Sequence, residues 1–138
     1  MEKTISEVHV HSACPSKWIL FGNKCFYFSK ETANWTSSQT FCFSLEANLV
    51  QIDTEDELKF LRRHKGPDDH WIGLSRESPS HSWKWTNSSE GNIVFKVSGT
   101  GKHAFLNDKG VSSGRIYSER KWICSKFTVS TCQIASNS

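Results

Sequence analysis

The sequence KGPDDHWIGLSRE spans residues 65–77 and encloses an apolar run at residues 71–74. A short apolar run between turn-forming residues is typical of a buried strand. Gly66-Pro67 in front of the run predicts the end of a preceding helix. Behind it, residues 76–101 are rich in Ser, Asn, Gly and Pro, which make up 12 of these 26 residues. This composition predicts a long loop, and such loops in compact domains usually carry function.

Short strands and two helices are predicted along the rest of the chain. Apolar or alternating runs predict strands at residues 18–21, 25–28, 49–52, 83–85, 104–106 and 121–124. The first two of these strands flank a turn at Gly22-Asn23 and therefore form a hairpin. Helical spacing predicts a helix over residues 34–46, which Ser37 is suited to cap. Thr54 and Glu57 have the spacing of a capping box, which predicts the second helix. This order of elements indicates an α+β domain.

Length, composition and charge fit one folded domain. Of 138 residues, 36% are hydrophobic and 22% are charged, so we expect a packed core. The net charge of +3 and the absence of long runs of like charge argue against nucleic-acid binding. No stretch approaches the roughly 20 apolar residues of a membrane-spanning helix, and the first residues lack the apolar region of a signal peptide.

The cysteines favour two disulfide bonds. Cys14 and Cys25 flank a short segment with a turn signal, so a bond between them closes a local hairpin. A bond between Cys42 and Cys124 ties the start of the domain to its end. The chain-entropy model assigns about 3 kcal/mol to the short loop and about 4–5 kcal/mol to the long one. Cys132 is left without a partner, as a free thiol or a site for an inter-chain bond.

Two glycosylation sequons point to the secretory pathway. Asn34-Trp35-Thr36 and Asn87-Ser88-Ser89 predict glycans on Asn34 and Asn87. Together with the disulfides they indicate an oxidising, extracellular compartment. We therefore interpret the chain as an ectodomain whose membrane anchor lies outside this sequence. Residues 1–13 are expected to be a stalk remnant or flexible arm, residues 14–126 the domain, and residues 127–138 a flexible tail.

The pattern as a whole resembles the C-type-lectin-like domain. The resemblance covers residues 14 to 126 and is carried by Cys14-Pro15 with Trp18, CFYF at 25–28, Cys42, WIGL at 71–74, WKW at 83–85 and WIC at 122–124. Within that family, KGPDDHWIGLSRE, LNDKG at 106–110 and ERKWICSK at 119–126 are similar to the C-type-lectin-related (Clr) proteins, the group of osteoclast-inhibitory lectin and lectin-like transcript. The implied fold is α+β, with two helices flanking antiparallel sheets and a long-loop region.

The resemblance also implies a function. Clr-like proteins are type II membrane proteins of the plasma membrane whose ectodomains bind lectin-like NKR-P receptors of natural killer cells. The receptor-facing positions that match here are Phe105, Asp108, Lys109, Arg115, Arg120 and Lys121. Their charges are mostly positive, which favours a partner with an acidic face. Changing Arg120 and Lys121 together to Glu is expected to weaken binding without unfolding the domain. A non-covalent homodimer is expected as well.

Two departures from the family pattern concern a disulfide and calcium. A third disulfide is common in lectin-like domains, but the matching positions hold His103 and Ile116, which predicts less constrained loops. Sugar-binding members use Glu-Pro-Asn or Gln-Pro-Asp and Trp-Asn-Asp motifs to hold calcium. Here residues 90–92 read EGN, without the proline, and residues 106–108 read LND, without the Trp. Asn107 and Asp108 are equally good turn formers. We therefore expect neither a calcium-dependent sugar site nor a cofactor.

The residues also bear on two other classes of function. A serine nucleophile needs a base and an oxyanion hole in fixed geometry, and no His-Glu-x-x-His motif occurs, so catalysis is disfavoured. The acids at residues 53–57 cluster at a helix start, where the helix dipole favours them. The alternative to a protein ligand is calcium-independent binding of sulfated glycans by Lys102, Lys109, Arg115, Arg120 and Lys121. Binding of that kind should fall steeply with salt.

Overall fold

A computed structural model of the chain describes residues 14–87 and 93–128. The helices within these residues are α1 (Trp35–Ser44) and α2 (Glu55–Lys65). The strands are β1 (Ile19–Phe21), β2 (Lys24–Phe28), β3 (Asn48–Leu49), β4 (His70–Ser75), β5 (Lys84–Trp85), β6 (Val97–Ser98), β7 (His103–Leu106), β8 (Val111–Gly114) and β9 (Lys121–Phe127). The α+β class predicted from the sequence is confirmed.

The strands pair in the order β1-β2-β9-β4-β7-β8-β6, with β3 added to β9 and β5 added to β4. Most neighbouring strands are antiparallel, but β4 pairs β9 in parallel and β6 pairs β8 in parallel. The sheets are therefore mainly antiparallel, as predicted, with two parallel pairs that the prediction did not include. In both cases the two strands are far enough apart in the chain for a crossover connection, which a parallel pair requires.

The apolar run at residues 71–74 lies at the centre of the fold. Trp71, Ile72 and Leu74 have no exposed surface, because β4 is covered on both faces. Gly73 donates its backbone N–H to the Val50 carbonyl at 2.9 Å. A Cβ atom at Gly73 would lie 2.5 Å from the Leu49 carbonyl oxygen, so no other residue fits. The core divides into two apolar clusters, one around Ile72 and Leu74 and the other around Trp71.

The helix caps differ in detail from those predicted. Helix α1 is capped by Asn34, whose side chain accepts the Ser37 N–H at 2.8 Å, so the prediction that Ser37 is the cap is wrong. Thr54 caps α2 as predicted. The Glu57 carboxylate accepts the N–H of Asp53 at 2.7 Å, one residue before the position that a capping box would use. It also pairs with the buried Lys24 ammonium at 3.1 Å, and this ion pair ties α2 to β2.

Both predicted disulfides are confirmed. Cys14 is bonded to Cys25 and Cys42 is bonded to Cys124. At the other end, Phe127 pairs with Lys24 and Thr128 donates its N–H to the Asn23 carbonyl at 2.9 Å. The folded region therefore extends two residues into the stretch predicted to be a tail. The predicted stalk at 1–13, the remainder of the tail at 129–138 and Cys132 lie outside the described residues.

Candidate functional site

A hollow of about 380 Å³ lies where β9 begins. It is lined by the loop before β4 (Asp68, Asp69), the turn before β9 (Ser118, Glu119, Arg120), Lys121 of β9 and Thr32 from the segment before α1. Lys121 Nζ lies 2.7 Å from an Asp68 carboxylate oxygen. This hydrogen bond lowers the pKa of the Asp68 carboxyl group. Arg120 Nε lies 3.9 Å from an Asp69 carboxylate oxygen, so each cation of the hollow has an anionic neighbour.

Arg120 is part of the packed structure. Its guanidinium lies over the ring of Phe105 at 3.8 Å and over that of Trp71 at 4.6 Å. The side chain is only 19% exposed, and burial lowers the pKa of Arg120. A Cβ atom at Gly114 would lie 3.1 Å from the guanidinium, so the glycine leaves room for it. A carboxylate in its place would lose both ring contacts and lie close to Asp69. We therefore expect Arg120→Glu to destabilise the domain, so the paired reversal of Arg120 and Lys121 would not report on binding alone.

Phe105 lies beneath this guanidinium. It is 7% exposed and packs edge-on against Trp71 with ring centroids 5.8 Å apart. It therefore supports the surface from below and offers little area to a partner, contrary to its selection as a receptor-facing residue.

The other four predicted receptor-facing residues are more accessible. The sheet register aligns Lys121, His70 and Leu106 in one row. Asp108 and Lys109 follow Leu106 in the β7–β8 turn, and both are exposed. Arg115 is exposed just after β8. The Lys121 side chain is 30% exposed. We refer to Asp68, Asp69, Asp108, Lys109, Arg115, Tyr117, Glu119, Arg120 and Lys121 as the recognition face.

The charge of this face is balanced. Its four cations, Lys109, Arg115, Arg120 and Lys121, stand against the four carboxylates of Asp68, Asp69, Asp108 and Glu119. The expectation of a mostly positive face is therefore wrong, because the loop before β4 brings two aspartates to it that are distant from β9 in sequence. A face of both signs favours a partner whose charges are complementary in position.

The Asn107-Asp108 pair forms a turn. The Asn107 side-chain oxygen accepts the N–H groups of Lys109 at 2.9 Å and Gly110 at 2.8 Å. The Asn107 amide nitrogen donates to the Ser112 hydroxyl at 3.2 Å. The Asp108 carbonyl accepts a hydrogen bond from Arg62 at 2.8 Å. The Asn107 side-chain oxygen, which would be a calcium ligand, therefore already accepts two hydrogen bonds within the hairpin. The described residues contain no group of three or more His, Cys, Asp or Glu placed to hold a metal. Residues 90–92 lie outside the described part of the chain.

His103 and Ile116, the two positions that a third disulfide would join, both contact Trp35 of α1. The His103 ring lies 4.7 Å from the ring of Trp35. Burial, with a smaller contribution from Lys102, lowers the pKa of His103. The backbone N–H of Trp35 donates to the Ile116 carbonyl at 3.4 Å. Trp35 thus contacts both positions that a disulfide would join.

Sequence reasoning missed Tyr117. Its side chain is 84% exposed, the most of any large hydrophobic residue in the described part of the chain. It lies in the turn between β8 and β9, close in sequence to Arg115 and Glu119. An aromatic residue within a polar, charged segment was the available signal, since such residues are enriched at protein interfaces.

Both predicted glycosylation sites are at the surface. Asn87 is exposed, and Asn34 is partly buried at the start of α1. Asn34 uses its side-chain oxygen as the helix cap, whereas a glycan is attached to the side-chain nitrogen. Capping and glycosylation are therefore compatible at this position, and modification at both sites stays a prediction.

Within the part of the chain that the structure describes, neither helix has the length and apolar character to cross a membrane.

Comparison with known proteins agrees with this fold. Residues 31–127 match the family model described as the Lectin C-type domain. The chain is 58% identical over 119 residues to human C-type lectin domain family 2 member D, covering 86% of this chain and 62% of that protein. It is 52% identical over 126 residues to rat C-type lectin domain family 2 member D11, covering 91% of this chain and 61% of that protein. The chain thus spans less than two thirds of these relatives.

Solved structures of C-type lectin domains also superpose on this chain, at lower sequence identity. The carbohydrate-recognition domain of the mouse scavenger receptor C-type lectin superposes with a TM-score of 0.72 at 26% identity, over 83% of this chain and 97% of that one. The carbohydrate-recognition domain of cow CD23 superposes with a TM-score of 0.77 at 21% identity, over 86% and 98% of the two chains. The latter likeness concerns the fold alone.

Proposed function

Because this chain belongs to the C-type lectin domain family, with family 2 proteins among its relatives, we propose that it is the ectodomain of a cell-surface ligand for a lectin-like NKR-P receptor. In this proposal it belongs to a type II glycoprotein of the plasma membrane, forms a non-covalent homodimer and modulates natural killer cell responses. Binding occurs by protein–protein contact. The family and its fold are generally non-enzymatic, which agrees with a recognition role.

The observation that carries this proposal is the mixed-charge recognition face. Lys121 and Asp68 pair at 2.7 Å; Asp108 and Lys109 are exposed in the β7–β8 turn, and Arg115 is exposed just after β8. Alternating charges of both signs select a partner by the positions of its own charges. A protein surface can supply that arrangement.

Calcium-dependent sugar binding receives no support from the Asn107-Asp108 pair. Both the oxygen and the nitrogen of the Asn107 side-chain amide form hydrogen bonds within the β7–β8 hairpin. A calcium site needs six to eight oxygens that converge on the ion, so losing this ligand weakens the site. Recognition without calcium is the better proposal.

Sulfated glycans remain the second candidate, but this face suits them less. Of the five cations proposed for that function, Arg120 is largely packed against the ring of Phe105 and Lys121 is paired with Asp68. A polyanion on this surface would approach the carboxylates of Asp68, Asp69 and Glu119. Like-charge contacts of this kind oppose binding.

The test compares charge reversals on the recognition face with a matched reversal elsewhere. Binding of the disulfide-intact domain to a panel of NKR-P ectodomains is measured by surface plasmon resonance, with calcium and with EDTA, at two salt concentrations. We expect selective binding that ignores EDTA and decreases only modestly with salt. The variant Lys109→Glu with Arg115→Glu should bind about tenfold more weakly. The control Lys17→Glu, which lies beside the β1 edge of the sheet, should bind as the wild type does.

Three other outcomes would count against this proposal. Binding to no receptor would contradict the proposal. Binding lost with EDTA would instead indicate a calcium site. Binding to heparin that collapses at high salt, without receptor binding, would favour the glycan candidate.

A further inference from the structure

The turn that carries Tyr117 is held at both ends. The Ser118 N–H donates to the Arg115 carbonyl at 3.1 Å, and this hydrogen bond closes the turn. The Ile116 carbonyl accepts the N–H of Trp35 at 3.4 Å. Arg120 forms a pair of backbone hydrogen bonds with Ala33, at 2.9 and 3.0 Å. The backbone on either side of Tyr117 is therefore tied to the segment that starts α1.

The Tyr117 side chain has no visible role in the fold. It is 84% exposed, and none of the hydrogen bonds or ring contacts in the described part of the chain involves it. The other aromatic side chains nearby behave differently, since Phe105 is buried and Trp35 is hydrogen-bonded through its indole to the Ile72 carbonyl. The ring is thus presented to solvent on an anchored backbone.

The position of this turn places Tyr117 beside the hollow. Ser118 and Glu119, the next two residues, line the hollow together with Lys121. Arg115 precedes the turn and is exposed. A tyrosine offers a large, rigid area and loses the freedom of only two side-chain torsions on binding. Interfaces draw most of their affinity from such aromatic anchors, which are surrounded by polar contacts.

We infer that Tyr117 is the aromatic anchor of the recognition face, and that it inserts into an apolar depression on a protein partner. This inference rests on the proposed function and specifies how that function is carried out. The surrounding charges of both signs form the polar rim. The partner is a folded protein surface rather than a polyanion, because the carboxylates of Asp68, Asp69 and Glu119 in the adjoining hollow repel sulfate groups.

The test uses three substitutions in the disulfide-intact domain. Tyr117→Ala removes the ring and Tyr117→Phe removes only the hydroxyl group. Phe43→Ala removes a ring that is 57% exposed on α1 and serves as the matched control. Binding to the NKR-P ectodomains is measured by surface plasmon resonance, and the thermal midpoint of each variant is measured as a folding control.

We expect Tyr117→Ala to weaken binding about 30-fold, which is typical of an anchor residue, with an unchanged thermal midpoint. Tyr117→Phe should weaken it by no more than about threefold, because the buried ring area dominates. Phe43→Ala should bind as the wild type does.

Unchanged binding of Tyr117→Ala, alongside weakened binding of the Lys109→Glu and Arg115→Glu variant, would overturn this inference and leave the proposed function standing. Equal losses for Tyr117→Ala and Phe43→Ala would also overturn it. If the wild-type domain binds no receptor, the proposed function fails and this inference fails with it.

Discussion

At the residue scale, single polar side chains do several tasks at once. Asn34 belongs to a glycosylation sequon and also caps α1 through its side-chain oxygen. Arg120 was chosen as a partner-facing cation, yet its guanidinium is enclosed by the rings of Trp71 and Phe105. The sequence shows the charge of such a residue but not what covers it.

The two tasks of Asn34 can be separated by mutation. In unglycosylated protein, Asn34→Ala removes the cap and should lower the free energy of unfolding by about 1 kcal/mol. Thr36→Ala destroys the same sequon but leaves the cap, so its free energy of unfolding should stay close to that of the wild type. Both are measured by chemical denaturation. Equal destabilisation by the two variants would contradict the assigned cap.

At the element scale, one arginine joins three segments of the long-loop region. Arg76, just after β4, donates to the carbonyls of Gly101 at 2.9 Å, Gly99 at 3.2 Å and Pro79 at 3.3 Å. Its guanidinium also lies 4.2 Å from the centre of the Trp83 ring. Arginine suits this position because its planar group presents several donors in fixed directions while its face stacks on an aromatic ring.

We predict that Arg76→Ala loosens this region before it affects the rest of the fold. Hydrogen exchange at residues 77–86 and 99–102 should become faster, because their carbonyl contacts and the stacking on Trp83 are lost. Exchange at Ile72 and Ile123 in the core should not change. Lys102→Ala, an exposed neighbour, is the control and should leave exchange as it is in the wild type. A uniform increase across the sheet after Arg76→Ala would show that the arginine supports the whole domain instead.

At the scale of the whole molecule, long-range connections hold the ends of the chain together. The Cys42–Cys124 disulfide joins α1 to β9 across 82 residues. β9 in turn lies between β2 and β4, so the last strand joins the early hairpin to the central strand. His70 begins β4 at this junction, paired with Leu106 on one side and Lys121 on the other, and is 2% exposed.

The burial of His70 predicts a pH-dependent stability. Burial lowers its pKa to about 4, and Lys65 and Lys121 add to this effect. The unfolded chain takes up the proton near pH 6.5 and the folded one only near pH 4. Stability is therefore full above pH 6.5 and falls as the pH is lowered towards 4, by about 3 kcal/mol. His103, whose pKa burial also lowers, contributes in the same direction, whereas the lowered pKa of Asp68 acts below its ordinary value of 3.8, outside this range.

Urea denaturation at pH 7, 6, 5 and 4 measures this decline. His70→Gln is the comparison, since glutamine does not titrate and its free energy of unfolding should change less over the same range. If the wild type and His70→Gln lose stability in parallel, the effect comes from other groups.

The sequence by itself determined the α+β class, the family, both helices and both disulfides. The helices follow from local patterns, because periodicity and caps are properties of neighbouring residues, whereas the family and the long-range disulfide follow from motifs and cysteines distributed along the whole domain. The shape and charge of the recognition face were decided only by the tertiary structure. Asp68 and Asp69 meet Lys121 and Arg120 because β4 and β9 pair in parallel, and the sequence patterns did not predict this parallel pair. The burial of Phe105 likewise depends on which side of β7 packs against Trp71, and no local pattern contains that information.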